Sequence, residues 1–202
     1  MNEFLAELFS SKVRAAVLGQ MLLRPQIAVS LTELSRLLGL PISSLQHECY
    51  KLERIGLIKG RREGNSRRYR VQTACPVLPE LTALVVAAIG EQGALAATLA
   101  DVPGIDAAFL GAELPLSADR SVGEPVPVVL IGEIPLEEID GAVDRVARIL
   151  RQPIAQLEAV FYLPEDWQAR LAQQSHYAVS LMAGPRTNLV GDPARISSEP
   201  AS

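Results

Sequence analysis

The sequence has few features of a secreted or membrane protein. It contains two cysteines among 202 residues, Cys49 and Cys75, at no metal-ligand spacing, so neither a disulfide framework nor a metal site is expected. The N-terminal MNEFLAELFS lacks the basic and apolar regions of a signal peptide. The most apolar stretch, residues 81–90, is too short to cross a bilayer. We therefore expect a soluble, cytoplasmic protein without metal, cofactor or membrane contact.

The charges are distributed unevenly along the chain, although the net charge is only −4. Residues 1–73 carry 12 Lys/Arg against 6 Asp/Glu, a net charge of +6. Residues 74–202 carry 7 against 17, a net charge of −10. A basic part joined to an acidic remainder is typical of a small nucleic-acid-binding module fused to a domain that does not bind nucleic acid. Chance clustering of charge would give the same totals.

Residues 1–74 are predicted to form three helices followed by a hairpin. Apolar residues recur at helical spacing over residues 3–23, with a possible break at Ser10-Ser11. A short strand over residues 27–29 precedes a helix that opens with a capping box, Ser30 and Glu33, and ends at Gly39. This helix is expected to bury four leucines: Leu31, Leu34, Leu37 and Leu38.

The next helix begins between Pro41 and Ser43 and ends at Gly56, with Ser43 and Gln46 as a second possible capping box. Its inner stripe is expected to contain Ile42, Leu45, Cys49, Leu52 and Ile55. On this stripe Cys49 is better explained as a small buried hydrophobe than as a redox sensor. Two short helices joined by a tight glycine-containing turn form a helix-turn-helix.

Residues 57–72 predict a basic β-hairpin with a turn at Gly64-Asn65, because β-forming residues flank this turn signal. The order of helix, helix and basic hairpin is that of a winged helix. The candidate DNA-binding residues of the hairpin are Arg61, Arg62, Asn65, Arg67, Arg68 and Arg70. Arginines on a wing suit phosphate or minor-groove contacts, and the alternative is a solvated hairpin.

The third helix supplies the candidate residues for the major groove of DNA, which admits one α-helix. These are Ser43, Ser44, Gln46, His47, Lys51 and Arg54. Gln46 suits a bidentate contact with adenine, and His47 suits guanine or a phosphate unless it is an ordinary surface residue. Ser43 would read bases only if its hydroxyl is not occupied in capping the helix.

The remainder of the chain predicts a second domain of α/β character, so the whole protein is expected to be α+β. Residues 75–100 are expected to contain a linker and a connecting helix over residues 81–99 that is interrupted or bent around Gly90 and Gly93. Residues 101–191 form the domain, with strands over 105–110, 126–131, 157–162 and 188–190 and helices over 135–150, 164–174 and 176–182. Residues 192–202 are polar and predicted to be disordered.

The run from LFSSKVRAAVLGQ to KLERIGLI and GNSRRYRV resembles the winged-helix domains of ArsR/MarR-like regulators over about 70 residues. The metal-sensing cysteine pair of the ArsR type is absent from the helices, so the resemblance does not imply metal sensing. It implies sequence-specific binding to double-stranded DNA by a homodimer, with repression more usual than activation. The first helix, the 81–99 helix and the second domain are all candidate dimer surfaces.

Segments such as LADVPGIDAAFL, VVLIGEIPLEEIDGAVDRVARIL and LMAGPRTNLVGD resemble the minimal nucleotidyltransferase domain of the DNA polymerase β superfamily. That family uses a Gly-Ser pair and an Asp-x-Asp motif whose carboxylates bind divalent metal. Here the corresponding positions are Gly111-Ala112 and Pro125-Val126-Pro127; Glu113, Asp119 and Glu124 in the loop do not replace the motif. We therefore expect a domain that is not an enzyme and serves dimerisation, effector sensing or partner binding. The alternatives are a nucleotidyltransferase and a winged helix used for protein contacts.

Overall fold

The computed structural model describes residues 3–116 and 125–196. It is a mixed α+β protein, as the sequence predicts, and it divides into two compact units, residues 1–90 and residues 91–202. Asp119, Glu124 and the last part of the predicted disordered tail, residues 197–202, lie outside the described residues.

The first unit begins with two helices, α1 (Glu3–Leu8) and α2 (Lys12–Leu22). The chain breaks between them because Ser10 adopts a positive φ of 50° and the Ser11 hydroxyl caps α2 by accepting from the Arg14 amide at 3.1 Å. The predicted break at Ser10-Ser11 is confirmed. Leu5, Val17 and Met21 are buried, so both helices contribute side chains to the core of the first unit.

Strand β1 (Val29–Ser30) leads directly into α3 (Leu31–Leu38). Both halves of the predicted capping box are present, since Ser30 Oγ accepts from the Glu33 amide at 3.2 Å and Glu33 Oε2 accepts from the Ser30 amide at 2.7 Å. Gly39 ends the helix at φ 65°. Leu34 is fully buried, but Leu37 is 54% exposed, so the predicted burial of Leu37 is wrong. The helix presents a narrower face to its neighbours than the four leucines suggested.

Pro41 occupies the N-cap position of helix α4 (Ile42–Arg54), but no side chain makes a capping hydrogen bond there. The second capping box is therefore absent, because the helix begins one residue before Ser43 and the serine lies within the first turn. Leu45, Cys49 and Leu52 form the buried stripe, as predicted. Ile42 and Ile55, at the two ends of that stripe, are 45% and 67% exposed, so their predicted burial is wrong. Neighbouring elements cover only the middle of the helix.

Strands β2 (Ile58–Glu63) and β3 (Ser66–Val71) form the predicted hairpin, and Gly64 turns it at φ 59°. The sheet order is β1-β3-β2, with all neighbours antiparallel. Ile58 lies opposite Val71, and both are buried against the helices. Helices α2, α3 and α4 followed by this hairpin make the first unit a winged helix-turn-helix.

The predicted 81–99 helix is two helices, α5 (Leu78–Ile89) and α6 (Glu91–Leu99), separated at Gly90 with φ 83°. The units divide at this glycine, which lies inside the segment that the sequence assigned to a linker and connecting helix. Helix α5 packs against α1 and α2 in the first unit, whereas α6 belongs to the second. No single helix in the described part of the chain is long and apolar enough to span a membrane; α5 and α6 reach that length and composition only as a bent pair.

The second unit is built on a four-stranded sheet with α6, α7 (Leu136–Leu150), α8 (Pro164–Ala172) and α9 (His176–Ala183). The strands are β4 (Ile105–Leu110), β5 (Val126–Gly132), β6 (Leu157–Tyr162) and β7 (Thr187–Val190). Their order is β6-β5-β4-β7, with only the β5–β6 pair parallel. Phe109, Ile131 and Trp167 are central to one core cluster.

Residues 192–196 make specific contacts with the second unit, whereas the sequence predicts disorder for them. The Trp167 indole donates to the Pro193 carbonyl at 2.8 Å, the Gln168 side chain donates to the Ile196 carbonyl, and Ile196 packs against the core cluster. The tail sequence is polar, but the buried indole N–H needs an acceptor that this segment supplies.

Truncation after Gly191 should therefore destabilise the second unit relative to truncation after Ile196. The truncation removes the carbonyl that accepts from the Trp167 N–H, a hydrogen bond that contributes about 0.5–1.5 kcal/mol, together with the packing of Ile196 on the core cluster. Trp167 is the one tryptophan in the sequence, so its fluorescence follows denaturant unfolding of this unit directly. Equal midpoints for the two truncations would contradict a structural role for residues 192–196.

Candidate nucleic-acid interface

The outer face of α4 presents polar side chains at its N-terminal half. Ser43, Gln46 and His47 are exposed and Ser44 is half-buried. Among the described residues, none of these four side chains makes a hydrogen bond within the protein. Because Pro41 occupies the capping position, the Ser43 hydroxyl is not used for capping. The donors and acceptors at the start of this helix are therefore available to an external ligand.

Glu48 lies on the opposite side of α4 and is 6% exposed. Its carboxylate accepts from Arg14 Nε and from Lys51 Nζ, both at 2.9 Å. Arg14 also donates to the Phe9 carbonyl at 3.2 Å, so this ion cluster joins α4 to α2 and to the end of α1. Burial favours the neutral acid, but the hydrogen bonds from Lys51 and Arg14 outweigh it and lower the pKa of Glu48. The sequence pattern predicts a DNA contact for Lys51 and does not reveal its pairing with Glu48.

Glu53, near the end of α4, holds the hairpin. Its carboxylate accepts from the Gly60 amide at 2.9 Å and from Arg67 Nη2 at 2.8 Å with both oxygens. The Arg67 guanidinium also lies 5.6 Å from the centre of the Tyr69 ring. Arg67 crosses the strand at Gly60, where a Cβ atom would overlap its Nε and lie 3.0 Å from Tyr69 Cε1. We call Glu53, Gly60 and Arg67 the wing clamp.

Arg68 is bound on the other side of the hairpin. It donates to the Ala28 carbonyl at 2.6 and 3.2 Å and pairs with Glu33 at 3.2 Å and Glu63 at 3.6 Å. It thus ties β3 to the chain that enters α3. The structure therefore gives two of the predicted phosphate-binding arginines, Arg67 and Arg68, internal partners. Glu53, Ala28 and Glu33 are distant in sequence from these arginines, so the pattern of arginines alone does not reveal them as partners.

The remaining cations of the hairpin are exposed. Among the described residues, Arg61, Arg62 and Arg70 form no ion pair, and the same holds for Arg54 at the end of α4. The β2–β3 register places Lys59 opposite Arg70 and Arg61 opposite Arg68, on one face, and Arg62 opposite Arg67 on the other. Asn65 is exposed at the turn. Lys59 is a further exposed cation of the hairpin, in addition to the predicted candidates.

Cys49 is fully buried, and this burial, with smaller contributions from Glu48 and Glu53, raises the pKa of its thiol to about 12. A thiol with such a pKa stays protonated at neutral pH, and the thiolate is the reactive form. The residue therefore acts as part of the core beside Leu45 and Leu52. Cys75 is half-buried.

The chain shows one partial similarity to a solved structure, "Reduced HlyU from Vibrio cholerae N16961". The match covers 42% of this chain and 81% of that one, at 23% sequence identity and a TM-score of 0.32. No family model and no curated protein matches the chain.

In the second unit, Gly111-Ala112 follows β4 and Pro127 lies in β5. The Gly111 amide donates to the Pro127 carbonyl at 2.8 Å, and a Cβ atom at Gly111 would lie 3.1 Å from the proline ring. Within residues 3–116 and 125–196, no three His, Cys, Asp or Glu side chains are grouped as metal ligands. Beside Thr187 is an open cleft of about 490 Å³ whose polar lining includes Gln92, Glu113, Arg186 and Asn188.

Acid should destabilise the first unit in particular. Hydrogen bonds lower the pKa of Glu33, through Ser30, and those of Glu48 and Glu53, where they outweigh burial. Depressed folded-state values stabilise the unit above the ordinary carboxyl pKa of about 4.3, and this stability is lost as pH falls through the lower folded-state values.

Thermal unfolding followed by far-UV circular dichroism between pH 7 and pH 3 measures this loss. A variant with Glu33, Glu48 and Glu53 changed to Gln should be less stable at pH 7 and show a shallower acid dependence. Trp167 fluorescence follows the second unit in the same samples as a comparison. Parallel curves for the variant and the original chain would show that these carboxylates do not carry the acid dependence.

Proposed function

We propose that this protein is a transcriptional repressor that binds double-stranded DNA sequence-specifically as a homodimer. The observation that carries the proposal is the combination, on one winged helix, of hydrogen-bonding side chains at the start of α4 and exposed cations on the hairpin. The first group suits base edges in the major groove, and the second suits phosphates.

The start of α4 supports base readout. Gln46 and His47 are exposed and have no hydrogen-bond partner among the described residues, so contacts with bases would not break internal bonds. A glutamine amide fits the N6 and N7 groups of adenine, and histidine can donate to guanine. Helix-turn-helix proteins use the N-terminal residues of the second helix in this way. Lys51 and Arg54 follow on the same helix, where their cations suit the phosphates of the DNA backbone.

The pairing of the acidic residues supports an electrostatic attraction to phosphates. Glu33, Glu48, Glu53 and Glu63 are all engaged by cations of the first unit. The carboxylates near the hairpin are thus held in internal ion pairs, whereas Arg61, Arg62 and Arg70 project without an ion pair in the described part of the chain. Such a surface attracts DNA and releases counterions on binding.

For the second unit we propose a role without catalysis, in dimerisation or in sensing an effector. Pro125 and Pro127 occupy the positions at which the resembled nucleotidyltransferases carry metal-binding aspartates, and Ala112 replaces the serine. Metal-dependent transfer of a nucleotidyl group needs those carboxylates. The cleft near Thr187 offers a place for a small polar effector. Nucleotide turnover by the full chain with Mg²⁺ would refute this part of the proposal.

Selection of bound sequences from a random double-stranded DNA pool tests the function. We expect a palindromic motif, because a two-fold dimer presents two recognition helices to half-sites one helical turn apart. Gln46→Ala and His47→Ala should change or weaken the motif. Gln173→Ala and His176→Ala, the same exposed residue types in the second unit, should leave it intact. Absence of enrichment together with salt-independent binding would favour a winged helix used for protein contacts.

A further inference from the structure

The two edges of the second sheet differ in how they are protected. Strand β7 has four residues, α6 packs against it, and its Asn188 carbonyl accepts from Gln92 Nε2 at 3.0 Å. Strand β6 has six residues and pairs only with β5. In the described part of the chain, the outward amides and carbonyls of β6 have no partner. The β6 edge therefore offers an open row of backbone donors and acceptors.

The devices that normally protect an open edge are missing from β6. Its sequence, LEAVFY, contains no lysine, no proline and one charged residue, Glu158, and its pairing with β5 is regular over six residues. Native proteins usually interrupt such an edge with charge, proline or a bulge, because an open edge recruits another strand. Ala159 is exposed in the middle of this strand.

Large exposed apolar side chains flank β6 in the sequence and occur on α9. Ile154 is 53% exposed just before β6, Leu163 is 36% exposed just after it, and Tyr177 on α9 is 40% exposed. Burial, and then the neighbouring Glu158 carboxylate, raise the pKa of Tyr177. An edge bordered by apolar groups is suited to an interface that excludes water.

The charges favour one self-pairing register. In an antiparallel pair about a two-fold axis at Val160, Glu158 of one copy lies opposite Tyr162 of the other, and Ala159 lies opposite Phe161. The Arg170 guanidinium lies 5.3 Å from the centre of the Tyr162 ring, so each Glu158 would face a cation of the second copy. A two-fold axis at Glu158 would instead place the two Glu158 carboxylates opposite each other, which is destabilising.

We propose that β6 pairs antiparallel with β6 of a second copy of this chain about an axis at Val160, joining two four-stranded sheets into one of eight strands. This inference rests on the proposed function in one respect, the homodimer, for which it names the surface. Backbone hydrogen bonds supply the pairing, and the Glu158–Arg170 contacts between copies set the register.

Sedimentation equilibrium of the full chain tests the proposal. The original chain should be a dimer, and Ala159→Lys should raise the dimer Kd at least about tenfold because it places a charge in the pairing edge. Ala172→Lys, the same change on an exposed position of α8, should leave the Kd unchanged. Glu158→Arg and Arg170→Glu should each weaken the dimer, and the double variant should restore it. A dimer insensitive to Ala159→Lys overturns the proposal.

Cross-linking provides a readout that does not depend on a destabilising charge. In a Cys75→Ser background, Ala159→Cys should be joined between copies by a short bis-maleimide, because diagonal neighbours across an antiparallel pair are about 7–8 Å apart. Ala172→Cys in the same background should not be joined, and Cys49 stays buried in both. Failure of the Ala159→Cys cross-link overturns the β6 interface. DNA selection with the original chain is independent of both measurements, so its outcome separates failure of this interface from failure of the proposed function.

Discussion

Replacing Arg61, Arg62 and Arg70 together with glutamine should weaken binding to double-stranded DNA on the order of 10²-fold at about 0.1 M salt. The three arginines are exposed and, within the described residues, form no ion pair, so their loss should not disturb the hairpin. Each phosphate contact contributes about 0.9 to the slope of log affinity against log salt concentration. The slope should therefore fall by roughly 2.7 if all three contact phosphates.

The matched control replaces Arg148, Arg151 and Arg195 with glutamine. These arginines are exposed in the second unit, and their removal changes the net charge by the same amount. Affinity and salt slope should remain close to those of the original chain. Equal losses for the two triple variants would mean that overall charge, and not the hairpin, attracts DNA. Titrations at several salt concentrations with one fixed DNA sequence supply both quantities.

Reversing either charge of the wing clamp should weaken DNA binding at least about tenfold, and reversing both should restore part of it, because an arginine at position 53 re-forms the ion pair but cannot accept from the Gly60 amide. Arg67→Glu places two carboxylates together, and Glu53→Arg places two guanidiniums together, so each releases the hairpin from α4. The double variant Glu53→Arg, Arg67→Glu rebuilds the ion pair with opposite polarity. Because the restored protein has lost the Arg67 cation, recovery distinguishes positioning of the hairpin from direct contact with phosphate.

The salt dependence gives a second distinction. If Arg67 only positions the hairpin, Arg67→Gln should lower affinity without reducing the salt slope, in contrast to the change at Arg61, Arg62 and Arg70. A slope reduced by about 0.9 would identify Arg67 as a phosphate contact and contradict the positioning role. Thermal unfolding of each variant shows whether the first unit remains folded. The original chain, the two single variants and the double variant form a double-mutant cycle. The recovery of DNA affinity in the double variant measures the coupling between residues 53 and 67.

Local sequence rules were sufficient for most elements. The Ser30 capping box, the Gly39 and Gly90 breaks and the Gly64 turn depend on residues within a few positions, and the sequence identified each of them. Runs of apolar residues predict the strands of the second unit, because these strands contribute side chains to the core. The errors fell at the ends of helices, at Leu37, Ile42 and Ile55, because burial there depends on how far a neighbouring element extends.

The candidate site was only partly predictable. Sequence patterns identified the exposed residues of α4 and the cations of the hairpin, but they treated all arginines alike. The partners of Arg67 and Arg68 lie on other elements, at Glu53, Ala28 and Glu33, so only the fold distinguishes bound from free cations. The role of Pro193 is not predictable from local sequence either, because its carbonyl accepts from an indole on α8.

The wing clamp has a consequence for how related chains diverge. Arg67 passes over Gly60, where a Cβ atom would overlap the Arg67 Nε, and its charge is matched by one carboxylate. A lineage that gains a side chain at position 60 must shorten or redirect residue 67, and position 53 then loses its counter-ion. We expect positions 53, 60 and 67 to change together over evolution, although the hairpin that carries two of them is mostly solvent-exposed.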